Sequence, residues 1–198
     1  MRRLLLLRHA STVATRSLAF PGDESLDERG RAAAATELLG LLPANGEIVS
    51  SPAARCLETA GAAGITPSLE PALLECDFGS WTGRTLAELN AAEPDAVAAW
   101  MGDPTARPHG GETQAEFAER VARWLDAQAT LEGRMLAITH GGVVKAALVH
   151  ALGAPLEAFW RIDVAPLALT ELHAHDGRWT VTRVNASALV RETEAVCA

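Results

Sequence analysis

Two arginines and two histidines follow short apolar runs that have the composition of buried strands. The run from Leu4 to Leu7 does not alternate with polar residues, which is typical of a central parallel strand covered on both faces. Parallel sheets bind ligands beyond the carboxyl ends of their strands. We therefore expect the four side chains to converge at one edge of a sheet. They are Arg8, His9, Arg55 and His140.

These residue types together suit the chemistry of a doubly charged phosphate group. Guanidinium groups bind oxyanions, and a neutral imidazole aimed at phosphorus can act as a nucleophile while the cations neutralise the other oxygens. The covalent intermediate would be a phosphohistidine. A carboxylic acid must also protonate the leaving oxygen, and Glu75, at the start of a loop, is the best-placed candidate. Each residue alone fits an exposed strand end or helix surface, so the prediction depends on the combination.

Two helix starts lie beside these predicted strand ends. Ser51 is expected to cap a helix whose first turn holds Pro52 and Arg55. After His140, the pair Gly141-Gly142 lets the backbone approach a ligand closely before a second helix begins. Both helix N-termini favour anions.

The segment 76–112 is predicted to lie over the strand ends. It combines glycines and aromatic residues, and its capping-box pair Thr85 and Glu88 begins a helix that Pro94 separates from the next one. It contains no obvious strand. Trp81 and Trp100 either contact an apolar part of a substrate or pack within the segment.

The last part of the chain predicts antiparallel strands. The runs 167–174 and 178–185 flank an Asp176-Gly177 turn, which is a hairpin signal. We therefore predict an α/β fold, a three-layer α/β/α sandwich with a mostly parallel central sheet and an antiparallel hairpin at one edge. Residues 1–190 are expected to form one domain with 76–112 as a covering insertion, and 191–198 a mobile tail.

Composition restricts the classes of partner. The formal net charge is −8 over 198 residues, so we expect no general attraction to nucleic acid or to an anionic membrane. No apolar stretch is long enough to cross a bilayer. The three cysteines are scattered, which makes disulfides and a cysteine metal site improbable and indicates a cytoplasmic protein.

A set of motifs in order along nearly the whole chain resembles the histidine phosphatase superfamily, also called phosphoglycerate-mutase-like. The matching groups are Leu7-Arg8-His9 with Thr12, Ser50-Ser51-Pro52 with Arg55 and Thr59-Ala60, Leu74-Glu75 with Phe78-Gly79 and Gly83, Gly110-Gly111-Glu112, and Thr139-His140-Gly141-Gly142. An Arg-His pair alone is common by chance, but the ordered set is specific.

The resemblance implies a role for each central residue. It makes His9 the phosphorylated nucleophile and Glu75 the proton donor, with Arg8, Arg55 and His140 binding the phosphoryl group. It implies no metal and no organic cofactor. Further candidates for contact with the substrate are Thr15, where mutases usually carry asparagine, together with Arg84 and Gly141.

Some positions depart from the family pattern. Ala10 and Ser11 replace the usual glycine and the following Glu or Gln, which is tolerable unless residue 10 needs a positive φ. Thr82 replaces a glutamate often found in the family.

The leading hypothesis is a phosphomonoesterase acting on a small phosphate ester, with a phosphoglycerate-mutase-type phosphotransferase and a non-catalytic phospholigand sensor as alternatives. The resemblance extends to α-ribazole, sugar and nucleotide phosphatases without naming one substrate. The edge hairpin is compatible with a homodimer.

Overall fold

The computed structural model describes residues 1–38 and 46–187. Its strands are β1 (Arg2–Arg8), β2 (Glu47–Ser50), β3 (Ser68–Leu69), β4 (Gly133–Thr139), β5 (Ala168–His175) and β6 (Arg178–Ser187). Its α-helices are α1 (Val13–Ser17), α2 (Glu28–Glu37), α3 (Ala54–Ala62), α4 (Leu86–Ala92), α5 (Pro94–Gly102), α6 (Gln114–Ala129) and α7 (Gly141–Ala151). Short 3₁₀ turns cover Pro71–Leu73, Gly79–Trp81 and Leu156–Arg161.

The strands form one mixed sheet in the order β3-β2-β4-β1-β5-β6. The first four of these are parallel, while β5 runs antiparallel to β1 and pairs with β6 as a hairpin at the edge. Asp176 and Gly177 form the hairpin turn with φ of 50° and 73°. The mostly parallel sheet and the antiparallel pair confirm the predicted fold class.

Alternate leucines of β1 bury themselves on opposite faces of the sheet. Leu4 and Leu6 pack in the apolar cluster that includes α6 and α7, whereas Leu5 and Leu7 pack in the cluster that includes α2 and α3. This double burial is why an uninterrupted leucine run forms a central strand. The result is three layers, with helices on both sides of the sheet.

The segment 76–112 contains α4, α5 and a 3₁₀ turn, and its aromatic residues pack in one cluster with Phe20 and Trp160. Trp81 is fully buried there, and Trp100 is 9% exposed. The two ends of the segment approach closely: a Cβ on Gly79, whose φ is 47°, would lie 2.2 Å from the His109 carbonyl oxygen. Only glycine fits so close a backbone contact. The Thr85–Glu88 capping box is present as predicted.

Several predictions concern parts or properties that the structure does not test. The predicted tail 191–198 lies outside the described residues, and the division into a domain of 1–190 with an insertion at 76–112 stays a prediction. Within 1–38 and 46–187, no helix combines the length and apolar character that crossing a membrane requires. Over the same residues, His, Cys, Asp and Glu side chains form no group of three suited to a metal ion.

Candidate active site

His9 follows β1 and is 4% exposed. Its Nδ1 lies 2.7 Å from the Ala10 carbonyl oxygen, and its Nε2 lies 3.2 Å from Arg55 Nε. A carbonyl only accepts and a guanidinium only donates, so the proton is on Nδ1 and a lone pair is on Nε2. Burial and the Arg55 charge lower the pKa of His9 to about 3. The imidazole is therefore neutral and able to act as a nucleophile near neutral pH.

His140 follows β4 and lies fully buried beside His9. The two ring centroids are 5.2 Å apart at an interplanar angle of 66°. His140 Nδ1 accepts from Arg55 Nε at 3.2 Å, which leaves the proton on Nε2, 2.8 Å from the Ser51 hydroxyl. Burial and the nearby Arg55 hold the pKa of His140 well below its usual value. Both imidazoles therefore share one buried arginine.

The two arginines approach this pair from different directions. Arg55 lies in the first turn of α3 at 3% exposure, and its Nη1 donates to the Gly22 carbonyl at 2.5 Å. Arg8 ends β1, donates from Nη1 to the Val164 carbonyl, and has a buried Nε without a partner. Burial lowers the pKa of Arg8, but a guanidinium remains charged at neutral pH.

Ser51 does not cap α3, and that prediction was wrong. The cap residue is Ala53, which offers no side-chain oxygen, because the backbone of Ser51 still continues the sheet through a 2.9 Å bond to Ile138. The helix therefore begins at Ala54, and Pro52 lies before it rather than in its first turn. The Ser51 hydroxyl instead contacts His140, a role that capping statistics do not reveal.

Glu75 is half-buried and held by two backbone amides. Its Oε1 accepts from Cys76 N and its Oε2 accepts from Gly142 N, both at 3.1 Å. A Cβ on Gly142 would lie 2.1 Å from Oε1 of this carboxylate. The glycine pair was predicted to approach a ligand, but Gly142 approaches the candidate proton donor, a contact between two distant segments that the sequence does not show.

Arg120 in α6 holds the backbone that carries Glu75. Its Nη1 donates to the carbonyls of Ala72 at 2.8 Å and Leu74 at 3.0 Å, and its Nη2 lies 3.4 Å from the Glu75 carbonyl. Glu112 fixes the guanidinium through two bonds of 3.0 and 2.8 Å. Glu112 belonged to a recognised motif, but Arg120, eight positions further on, had no signal beyond its place on the predicted helix that follows.

The three further candidates for substrate contact have different surroundings. Thr15 uses its hydroxyl in the capping box of α1, accepting from Thr12 N and donating to Thr12 O. Arg84 pairs with Glu93 at 2.5 Å. Gly141 lies beside the site, since a Cβ there would be 3.3 Å from Arg8 Nε. Of the three, Gly141 lies with the central residues in the described structure.

Residue 10 does not need glycine. Its backbone lies outside the left-handed region, because the described non-glycine residues with positive φ are at other positions. Ala10 is fully buried, and its amide donates to the Thr59 hydroxyl at 3.0 Å. The adjacent Ser11 hydroxyl donates to Asp27, which caps α2. Both departures from the family motif are therefore accommodated locally.

Two cavities of about 210 and 400 Å³ meet at Glu75 and Cys76. The larger is bounded by Arg55 and by the loops at 21–23 and 52–53. The smaller reaches Arg8 and is walled by aromatic residues and by two polar side chains. The aromatic residues are Phe78, Trp100, Phe117, Phe159 and Trp160, and the two polar residues are Gln114 and Lys145.

Comparison with known proteins gives consistent results. The chain is 33% identical over 228 residues to a glucosyl-3-phosphoglycerate phosphatase of Mycolicibacterium vanbaalenii, covering 96% of this chain and 97% of that protein. A mycobacterial glucosyl-3-phosphoglycerate phosphatase solved with VO₃ superposes with a TM-score of 0.81 at 30% identity, over 94% of this chain and all of that one. The α-ribazole phosphatase of Shigella flexneri superposes with a TM-score of 0.82 at 25% identity, over 96% and 99% of the two chains.

The family model described as the histidine phosphatase superfamily, branch 1, matches residues 4–187. This range includes both histidines, both arginines and Glu75. The match and the relatives confirm the resemblance found in the sequence motifs. The chain belongs to the histidine phosphatase superfamily.

Proposed function

We propose that this protein hydrolyses phosphomonoesters of small metabolites through a phosphohistidine formed on His9. The observation that carries the proposal is the state of this imidazole. It is neutral, its Nδ1 donates to Ala10, and its Nε2 lone pair points at the guanidinium of Arg55. A phosphoryl group attracted by that cation would meet a nucleophile that needs no deprotonation.

The reaction then has two balanced steps. In the first, His9 Nε2 forms a bond to phosphorus, the bond to the ester oxygen breaks, and protonated Glu75 gives its proton to that oxygen. In the second, Glu75 takes a proton from water, the water oxygen attacks phosphorus, and the N–P bond breaks to release inorganic phosphate. Arg8, Arg55 and His140 stabilise the charge on the phosphoryl oxygens in both steps.

The hydrogen bond from His9 Nδ1 to Ala10 has a specific part in this scheme. It fixes the tautomer that keeps the lone pair on Nε2. When Nε2 binds phosphorus, the ring gains positive charge, and the carbonyl oxygen then stabilises that charge. The scheme requires neither a metal ion nor an organic cofactor.

The relatives support an alcohol phosphate as the substrate. They act on glucosyl-3-phosphoglycerate and on α-ribazole phosphate, in which an organic alcohol leaves. We propose a small-molecule phosphate ester of this kind, acted on in the cytoplasm.

Cys56 and Cys76 are free thiols, which agrees with a reducing compartment. A homodimer through the β6 edge stays a prediction.

Phosphate release tests the proposal. Purified protein should release inorganic phosphate continuously from p-nitrophenyl phosphate, and His9→Ala should abolish the release. His175→Ala is a matched control, since His175 has a side chain that is 78% exposed. Continuous release distinguishes a hydrolase from a sensor, and the absence of phosphoryl transfer to phosphoglycerate distinguishes it from a mutase. Inactivity across a broad panel of phosphate esters at several pH values would contradict the proposal.

A further inference from the structure

The aromatic-walled cavity beside Arg8 and Glu75 has the features of a binding site for part of the substrate. Glu75 lines both cavities, so a group leaving from phosphorus towards the proton donor can enter either, but of the two only this cavity is walled by aromatic residues. We propose that it is a leaving-group subsite built for a flat ring carrying a carboxylate, with Lys145 binding that carboxylate. This inference rests on the proposed function and specifies its substrate class.

The walls are aromatic on several sides. Trp100 and Trp160 lie edge to face with ring centroids 4.8 Å apart, and Phe159 and Trp160 lie 5.2 Å apart. Phe78 continues the wall towards Trp100 at 6.3 Å. These residues come from the covering segment and from the turn at 156–161, and their rings hold one another in place. Such a cavity favours a flat apolar group, which gains from edge-to-face contacts as well as burial.

Lys145 supplies a cation to this apolar cavity. It is the one lysine of the sequence, and it projects from α7, three residues after Gly142. Its Nζ lies 5.3 Å from the centroid of the Phe159 ring. Among the described residues it forms no ion pair, and its half-buried position lowers its pKa. The negative charges of Asp163 and Glu75 oppose this lowering, but neither carboxylate pairs with the ammonium, so an anionic ligand would stabilise it further.

Gln114 supplies a second donor. It is 7% exposed at the start of α6, and its Nε2 has no hydrogen-bond partner in the described structure. Buried donors are normally satisfied, and leaving one unpaired costs about 1–3 kcal/mol. Gln114 and Lys145 line the same cavity, so one carboxylate can satisfy the amide and neutralise the ammonium.

The two acidic residues of the cavity do not already fulfil this role. Asp163 is exposed, and its Oδ1 accepts from Val164 N at 2.9 Å. Glu75 is held by two backbone amides at the reaction centre. Arg8 and Arg55 are committed to the phosphoryl group in the proposed mechanism. Lys145 is thus the cation left for the organic part of the substrate.

A matched pair of aryl phosphates tests the charge preference. The ratio of kcat/KM for 4-carboxyphenyl phosphate to that for 4-carbamoylphenyl phosphate is measured in the wild type, Lys145→Met and Gln114→Leu. We expect the wild type to favour the carboxylate by about tenfold or more, Lys145→Met to bring the ratio near one, and Gln114→Leu to reduce it less. Arg123→Gln, which changes a 73% exposed residue of α6, should keep the wild-type ratio.

The outcomes separate this inference from the proposed function. A ratio near one in the wild type, or an unchanged ratio in Lys145→Met, overturns the subsite while His9-dependent hydrolysis of p-nitrophenyl phosphate upholds the phosphatase. If the wild type does not hydrolyse p-nitrophenyl phosphate, the proposed phosphatase activity itself is contradicted.

Ligand binding to the wild-type protein gives a second test of the carboxylate site. It needs neither catalytic turnover nor a variant that folds correctly. Reductive ¹³C-methylation places one lysine signal in the spectrum besides that of the amino terminus. We expect 4-hydroxybenzoate to shift the lysine signal saturably and 4-hydroxybenzamide to leave it in place. Equal shifts with both compounds, or no shift with either, would overturn the carboxylate site.

Discussion

The proposed site has one side for the phosphoryl group and one for the leaving group, and the two sides are built differently. On the phosphoryl side, His9, Arg55 and His140 are at most 4% exposed and project from the ends of strands or the helix after one. On the other side, the cavity walls come from Phe78, from α5, α6 and α7, and from the turn at 156–161. One side is fixed by a sheet, and the other is assembled from separate packed segments.

The register between β1 and β4 explains why the two histidines of the phosphoryl side lie close together. β1 and β4 pair in parallel with Arg8 opposite Thr139, and His9 N donates to the Thr139 carbonyl at 2.8 Å. The two histidines that follow are therefore brought to the same level. The difference between the sides teaches that the sheet positions the two histidines, whereas the helices α6 and α7 both wall the cavity and hold Glu75.

The largest expected effect comes from Glu75→Gln, which removes the proposed proton donor between the two sides. We expect kcat for alkyl phosphates to fall by about 10²–10⁴, since a poor leaving group needs a general acid. With p-nitrophenyl phosphate, a fast burst of nitrophenolate should precede slow turnover, because the first step then needs no acid. Stopped-flow absorbance measures both phases. Equal losses in burst and turnover would contradict the role of Glu75.

Arg55→Gln should have a slightly smaller effect that is confined to the phosphoryl side. Removing the guanidinium that bridges both imidazoles should lower kcat/KM by about 10²–10³ for good and poor leaving groups alike. Steady-state assays on a series of aryl phosphates measure this. Arg31→Gln, whose side chain is 55% exposed and pairs with Glu58, should retain full activity. A loss of kcat/KM that grows with leaving-group basicity would show that Arg55 acts on the leaving group, which contradicts its role on the phosphoryl side.

Gly142→Ala should displace the Glu75 carboxylate without changing its chemistry. The added Cβ would lie 2.1 Å from Glu75 Oε1, so the flexible carboxylate must move. We expect kcat for alkyl phosphates to fall by about ten- to a hundredfold.

Gly61→Ala is the matched control, because a Cβ there meets nothing within 4 Å. It should leave kcat unchanged and raise the free energy of unfolding by about 0.4–1 kcal/mol, which urea titration measures. A similar loss of activity in both variants would contradict a specific contact between Gly142 and Glu75.

The smallest effect concerns stability against acid. The pKa of folded His9 is lowered to about 3, below its unfolded value of about 6.5, so the unfolded state binds the proton more readily. The stabilising contribution is present above pH 6.5 and is lost as the pH falls towards 3. At pH 5, His9 alone should cost about 2 kcal/mol relative to pH 8.

Urea unfolding of the wild type and His9→Gln at pH 8 and pH 5 measures this difference. The wild type should lose more stability between the two pH values than the variant does. Equal losses would show that His9 is not buried in its neutral form.

The sequence predicted one side of the site far better than the other. Arg8, His9 and His140 follow apolar runs whose burial is set by local composition, so their convergence could be expected before the structure was known. Ser51 was misassigned because the chain continues in the sheet for longer than capping preferences suggest. The local sequence pattern does not determine the residue at which a strand ends and the following helix begins.

Tertiary packing brings to the site several residues that no sequence motif identifies. Gln114, Arg120 and Trp160 have no motif of their own, and each acquires its environment only when α6 and the turn at 156–161 pack against the loop that carries Glu75. Thr15 and Arg84 illustrate the reverse case. Their types suited phosphate binding, and the structure shows Thr15 in a helix cap and Arg84 in an ion pair, so their contact with a substrate stays a prediction.

The most direct test of the central claim is to trap the phosphoryl group on His9. Protein mixed with ³²P-labelled p-nitrophenyl phosphate is quenched in alkali within milliseconds, digested and mapped. We predict a label approaching one phosphoryl group per protein, stable to base and lost in acid, on the peptide that contains His9, and no label in His9→Ala. Sustained turnover without this label, or a label mapped to another residue, would contradict the account.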